Sequence, residues 1–527
     1  MHAPIIGLAH PHSIRDPAAG CAPQNPSAWT GNGAPDNAHM LLRHLFTALI
    51  WLASCNAMAT APGALPAEVD AALARAKIPR EAVALWVQEA DSNAPTRLSH
   101  RAQESMNPAS VMKLTTTYAA LDLLGPAYSW STPVWVDGPV RGGSLQGNVY
   151  IQGQGDPKLV LERLWLLLRR LQGLGIQRIA GDIVLDRSAL DIPERDPAQF
   201  DGEPLRPYNA SPDALLINFK TVVITFTPER NGTTAAVQFD PPLHGVQMQT
   251  TVPLHLAECG DYRTLLKADF SDANRIRFAG SYAASCGEKV WSVAYIDPRS
   301  YATRAVQGLW LSLGGQLTGT VRYGAVPATV AAAKPTLELG SLPLTEIVRD
   351  INKFSNNVMA QQVFLSLGRF YIPGTDAAPV PQADLGAGSF VASRAVLQRW
   401  WRERLGSEAM PVWDNGSGLS RHERISAQGL GRMLQVAYRS PMMSELMSSM
   451  PITGVDGTLR RFKGNAVGSA HLKTGSLSNV MARAGYVDGA SGKRYVLVLF
   501  INHANANAEG ARAAVEALVD WTARDIP

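Results

Sequence analysis

The sequence predicts an α/β, multi-domain protein in which one α/β domain is assembled from both ends of the chain and a large β-rich region is inserted between them. Three observations carry this. A buried strand over 82–88 (Ala-Val-Ala-Leu-Trp-Val-Gln) lies near the start, a hairpin followed by an amphipathic helix closes the chain, and the middle is a long series of short alternating runs. At 527 residues the chain also exceeds one ordinary core, and a prior of roughly 100–200 residues per domain points to about three.

In chain order, residues 1–39 are rich in Pro, Gly, Asn and Ala without a hydrophobic period and read as a leader that is no part of the fold. Residues 40–59 read as a signal segment. Arg43 and His44 form a basic start, 45–53 an apolar stretch too short to span a bilayer, and Ala57-Met58-Ala59 a small-x-small cleavage site. A second reading of the same stretch is a lipoprotein signal, Leu52-Ala53-Ser54-Cys55, with lipid on Cys55. No later apolar run reaches the ~20 residues of a membrane-spanning helix, so at most peripheral membrane association is expected.

A short helical pattern covers 67–76. After the strand at 82–88 and the turn Asn107-Pro108-Ala109, a helix is expected from about Ser110 to Leu124, with Leu114, Tyr118, Leu121 and Leu124 facing a core and Gly125-Pro126 stopping it. From about Trp130 to Ile296 the chain is β-rich, with runs at 132–136, 148–152, 221–227 and 234–239, interrupted by one helix over 159–174. A helix end is expected over 309–317. Helices return at 344–352, 357–367, 389–405 and 426–438. The hairpin is expected at 485–487 and 494–501, and the last helix at 509–526.

The formal charge is only +4 and the basic residues are scattered, which argues against a nucleic-acid partner. Of four cysteines, Cys21 and Cys55 lie in the leader and signal segments, leaving Cys259 and Cys286 as an even pair on polar flanks. No Cys-x-x-Cys or paired His completes a zinc site. In an oxidising compartment the two are expected to form a disulfide closing about 27 residues, worth roughly 3 kcal/mol. The alternative is two buried free thiols.

Three short motifs carry chemistry. In Ser110-Val111-Met112-Lys113, positions three apart share a helix face, so the Lys113 amine can act as base on the weak Ser110 nucleophile once burial lowers its proton affinity. Ser355-Asn356-Asn357, at a polar break between helices, can relay a proton through Ser355 and hold a peptide carbonyl through Asn357. Ser-x-Asn also occurs at Ser54-Cys55-Asn56 and Ser105-Met106-Asn107. Only order and the helix–break–helix setting select Ser355. In Lys473-Thr474-Gly475-Ser476, on an expected edge strand, Lys473 and Thr474 can bind a carboxylate, and Gly475 permits close backbone approach. The Ser476 and Ser110 N–H groups can form an oxyanion hole.

These residues in this order resemble the serine penicillin-recognising enzymes. The stretch 107–116 is similar to that of the low-molecular-mass class C D-alanyl-D-alanine carboxypeptidase/endopeptidases. So is Asp414-Asn415-Gly416-Ser417-Gly418-Leu419-Ser420-Arg421, in which Asn415 stands as an extra residue between the Asp and the Gly. Gly155-Asp156-Pro157 and the Cys259/Cys286 pair also fit this branch. So does the separation of about 245 positions between Ser110 and Ser355.

The resemblance implies a serine β-lactamase/transpeptidase-like domain from 60–130 and 335–527, with a β-rich insertion over 131–334 made of two nested subdomains. It implies hydrolysis of D-alanyl bonds in peptidoglycan stem peptides through a Ser110 acyl-enzyme, in the periplasm. β-Lactam antibiotics would be covalent inhibitors, and neither a metal nor an organic cofactor would be required. Asp201 and Glu203 are candidates to meet the amino group of a diaminopimelate side chain. Rival readings are a β-lactamase or esterase on the same fold and a non-catalytic peptidoglycan-binding scaffold. A Ser-His-Asp hydrolase lacks a Gly-x-Ser-x-Gly elbow, since Gly416-Ser417-Gly418 has the wrong spacing.

Overall fold

The computed structural model describes residues 64–91, 93–230, 232–369 and 386–525. Residues 1–59, expected to be leader and signal segments, and with them Cys21 and Cys55, lie outside the described residues. Among the described residues no helix is long and apolar enough to cross a membrane.

Helix α1 (Ala67–Arg75) precedes strands β1 (Val83–Glu89) and β2 (Leu98–His100). A single 3₁₀ turn, Ala109–Met112, then leads into α2 (Lys113–Leu124). The α-helix thus starts at Lys113, not at Ser110 as the residue pattern had indicated. The cause is local: the Asn107 carboxamide accepts the Ala109 N–H at 2.9 Å, and Ala109 takes a left-handed φ of 46°. This sets Ser110 on a tight corner ahead of the helix.

The middle of the chain is strand-rich, with β3 (Ser131–Val136), β4 (Val149–Gln152), helix α3 (Leu161–Gly173), β5 (Ile183–Asp186), β6 (Thr221–Pro228), β7 (Thr234–Asp240), β8 (Thr251–His255), β9 (Lys289–Ala294), helix α4 (Tyr301–Ser312), β10 (Val321–Tyr323) and β11 (Leu337–Gly340). These build two five-stranded sheets. One runs β10-β5-β4-β3-β11. The other runs from the two-residue strand Tyr282–Ala283 through β8, β7 and β6 to β9. They share a hydrophobic core extending from Val134 to Leu339. The helix expected to end near Leu317 stops at Ser312, where Leu313 and Gly314-Gly315 turn the chain into the next strand. Cys259 and Cys286 are joined by a disulfide, S–S 2.06 Å.

The last part supplies α5 (Leu344–Phe354), α6 (Asn357–Arg369), α7 (Phe390–Leu405), α8 (Ala427–Tyr438), β12 (Ala470–Leu477), β13 (Val480–Asp488), β14 (Arg494–Asn502) and α9 (Glu509–Arg524). These join the N-terminal strands in one antiparallel sheet ordered β2-β1-β14-β13-β12, with Leu85 opposite Leu499. Side chains alternate across a strand. Val83, Leu85, Val87, Leu497, Leu499 and Ile501 therefore pack with α1 and α9 on one face. Ala84, Trp86, Val496, Val498 and Phe500 pack with α2 and α5–α8 on the other. With both faces covered, the strands read as continuous apolar runs.

Candidate active site

The sheet and the helical layer meet along β12, the strand at the sheet edge, and the corner at Ser110. Gly475 is required there by the protein itself: a Cβ on it would lie 2.6 Å from the Pro108 carbonyl oxygen. Its smallness seats β12 against the corner at Ser110.

Lys113 is wholly buried one turn beyond Ser110. Its Nζ donates to Ser110 Oγ at 2.9 Å, to Asn357 Oδ1 at 2.6 Å and to the Ser417 carbonyl. Burial lowers its proton affinity to a pKa of about 7, against the opposing pull of Glu423. Ser355 occupies the corner between α5 and α6 in a left-handed conformation, φ 60°, and accepts a 2.8 Å hydrogen bond from Lys473 Nζ. Lys473 is also fully buried, and its proton affinity falls well below the ordinary lysine value through burial, then through Lys113 and Arg483. All three expected motifs thus converge. Asn357 turns its amide nitrogen to the Tyr208 carbonyl at 3.3 Å, so the β-rich region itself supplies part of the wall.

Thr474 Oγ1 lies 2.8 Å from Thr458 Oγ1, a residue the sequence reading did not single out. Thr458 sits on the loop held by Asp456, which accepts from Lys353 Nζ at 2.6 Å, two residues ahead of Ser355. Ser476 is exposed and its hydroxyl donates to Asn507 Oδ1 at 3.1 Å.

The Asp414–Arg421 stretch forms the floor under Lys113. Asn415 Oδ1 accepts both the Ser417 N–H at 3.0 Å and its hydroxyl at 2.7 Å, and Asp414 accepts the Ser420 hydroxyl at 2.8 Å. Gly418 has φ 80°, and a Cβ there would fall 2.0 Å from the Ala109 carbonyl. Glu423, also missed from sequence, is buried behind this loop. Asp201 is held within its own loop by the Tyr208 hydroxyl at 2.8 Å and the Asn209 amide at 2.7 Å, while Glu203 is exposed and pairs with Arg206 at 3.4 Å.

A serine beside a buried lysine of lowered proton affinity, faced by a second serine held by the edge-strand Lys473, is an arrangement of the serine-hydrolase class. The chain belongs to the D-Ala-D-Ala carboxypeptidase 3 (S13) family, whose pattern matches residues 65–525. It is a serine-type peptidase of that family, acting on D-alanyl-D-alanine bonds. It is similar to a D-alanyl-D-alanine carboxypeptidase of Actinomadura sp. (strain R39), 29% identical over 492 residues, 89% of this chain and 88% of the relative. It is also similar to D-alanyl-D-alanine carboxypeptidase DacB of Haemophilus influenzae, 27% identical over 402 residues, 75% and 80% of the two chains. The fold matches the crystal structure of penicillin binding protein 4 (dacB) from Haemophilus influenzae, with TM-score 0.66 and 23% identity over 86% of this chain and 98% of the other.

Proposed function

We propose that Ser110 is the nucleophile and Lys113 its base in cleavage of D-alanyl peptide bonds of peptidoglycan stem peptides. The observation that carries this is the Lys113 amine, desolvated and shared among Ser110 Oγ, Asn357 Oδ1 and the Ser417 carbonyl. Lys113 takes the Ser110 proton as Oγ attacks the carbonyl carbon before a D-alanine. The developing oxyanion is met by the N–H groups of Ser110 and Ser476. Ser355, polarised by Lys473, passes a proton to the departing amine as the C–N bond breaks and is refilled by the proton that Lys113 took from Ser110. Asn357 aligns the acyl portion, and Thr474 with the Lys473 charge receives the terminal carboxylate. Water, deprotonated by the same machinery, then hydrolyses the ester and returns the proton to Ser110.

The amine that leaves is D-alanine in a carboxypeptidase turnover and a cross-linked diaminopimelate in an endopeptidase turnover. Asp201 and Glu203 stand on the loop that reaches the site through Tyr208, a placement in keeping with reading an amino group on the substrate. Unchanged selectivity for amino-bearing peptides in Glu203→Gln would remove Glu203 from that role. The signal segment and the cell-wall substrate together favour the periplasm, with Cys55 lipidation as the variant.

The test is intact-protein mass spectrometry with and without benzylpenicillin, alongside Ser110→Ala. A stable adduct on Ser110 that is lost in the variant is expected. Rapid drug hydrolysis without an adduct would favour a β-lactamase, and an untouched drug a non-catalytic scaffold.

A further inference from the structure

Glu423 is a fully buried carboxylate lying between α7 and α8, and no step above uses it. Its Oε1 accepts three consecutive backbone N–H groups, from Gly416 at 2.8 Å, Asn415 at 3.1 Å and Asp414 at 3.2 Å. Its Oε2 is buried and meets no protein donor among the described residues. None of the ion pairs among those residues involves it, and Arg424, next in the chain, turns its guanidinium to the carbonyls of Arg421 and Glu423 instead. A carboxylate is costly to bury without such donors, so one that is kept there has its energetic reason in what the donors are attached to.

They are attached to the loop that ends at the Ser417 carbonyl, the acceptor of Lys113 Nζ. The loop is tied at two further points. Thr116, one turn along α2 from Lys113, donates to the Gly416 carbonyl at 2.7 Å, and Asn415 holds the Ser417 N–H. Lys113 is acted on by Glu423, and Lys473 by Lys113 and Arg483. Burial pushes the Glu423 carboxyl up to about 7 against its three N–H donors, with the like charge of Asp414 adding to the rise.

We propose that Glu423 is a positioning residue for the base: by gathering three N–H groups it presents the Ser417 carbonyl to Lys113 Nζ, and wherever it is ionised its charge favours a proton on Lys113. The inference rests on Lys113 being the base. The two contributions separate chemically. Glutamine keeps an oxygen that accepts N–H groups and loses the charge. Aspartate keeps the charge and shortens the reach. Alanine loses both.

The experiment measures the second-order rate of Ser110 acylation by a chromogenic cephalosporin from pH 5 to 9, with thermal melts, on the full chain carrying Glu423→Gln, Glu423→Asp or Glu423→Ala, beside Lys113→Met. Removing a nearby negative charge disfavours the protonated lysine, so Glu423→Gln moves the acidic limb of the profile to lower pH with its plateau largely kept. Glu423→Asp leaves the limb in place and lowers the plateau. Glu423→Ala, where it folds, lowers the plateau about tenfold or more. A limb in Glu423→Gln that stays in place or moves to higher pH overturns the proposal, as does a wild-type plateau in both Glu423→Asp and folded Glu423→Ala. Lys113→Met acylating at the wild-type rate would instead overturn the base assignment on which all of this stands, and an inert Lys113→Met with unmoved Glu423 variants would sink the Glu423 inference alone.

Discussion

Lys473 Nζ reaches across the cleft to Ser355 Oγ at 2.8 Å, tying the edge strand of the sheet to the corner between two helices. A hydroxyl held by a buried amine is set to pass a proton, and such general acid–base steps contribute about 100-fold or more. Ser355→Ala is therefore expected to slow acylation of Ser110 by a chromogenic β-lactam about 100-fold, with the non-covalent affinity that precedes it little changed. Stopped-flow separation of binding from acylation checks this; a loss confined to binding would move Ser355 from proton relay to substrate contact.

The Lys113 amine sets a pH dependence of stability. Its folded pKa is about 7, against about 10.4 for an unfolded lysine. Between those values the unfolded chain binds more protons, so the Lys113 contribution makes stability rise with pH across that window, and its penalty is fully present below pH 7. Lys113→Met removes the penalty. The unfolding free energy of the variant relative to wild type should then fall steadily from pH 6.5 to pH 9.5 in urea titrations. A difference that is flat or grows with pH would contradict the buried, depressed lysine.

Thr458 and Thr474 bring two hydroxyls within 2.8 Å of each other at the mouth of the site, where a terminal carboxylate would accept from both. Thr458→Val is expected to raise KM for a D-Ala-D-Ala-terminated peptide about tenfold with kcat close to wild type, the size of one lost hydrogen bond to a charged group. A fall in kcat at unchanged KM would place Thr458 outside the binding of that carboxylate.

The Cys259–Cys286 bond closes 27 residues within the β-rich region. In the chain-entropy model that contributes roughly 3 kcal/mol. Replacing both cysteines by serine should lower the thermal midpoint by several degrees, while Ser110 in folded protein acylates at the wild-type rate at 25 °C. An unchanged midpoint would mean that the bond adds little to the native state.

Much of this arrangement was legible in the residues because it is local. Ser110 and Lys113 are one turn apart, Ser355 and Asn357 mark a break in a helical pattern, and the continuous apolar runs of β1 and β14 announce a sheet covered on both sides. What escaped is carried by backbone atoms or by distant loops. The third acceptor of Lys113 is the carbonyl of Ser417, which side-chain identity does not advertise. Thr458 meets Thr474 only because Asp456 and Lys353 clamp its loop. The extra Asn415 looked like a break in a motif, yet its carboxamide closes the turn that aims the Ser417 carbonyl. The start of α2 was misplaced because Ala109 adopts a left-handed conformation that alanine rarely favours.

The pairing of β1 with β14 also dictates an order of events. Ser110 and Lys113 are synthesised long before β12 and β14, yet the wall that carries Lys473 and Thr474 hangs from the sheet those late strands complete. A growing chain holds Ser110 and Lys113 without Lys473 and Thr474, and contacts so distant in sequence close late and slowly. Ser110 therefore meets Lys473 and Thr474 only once the C-terminal strands have docked on β1.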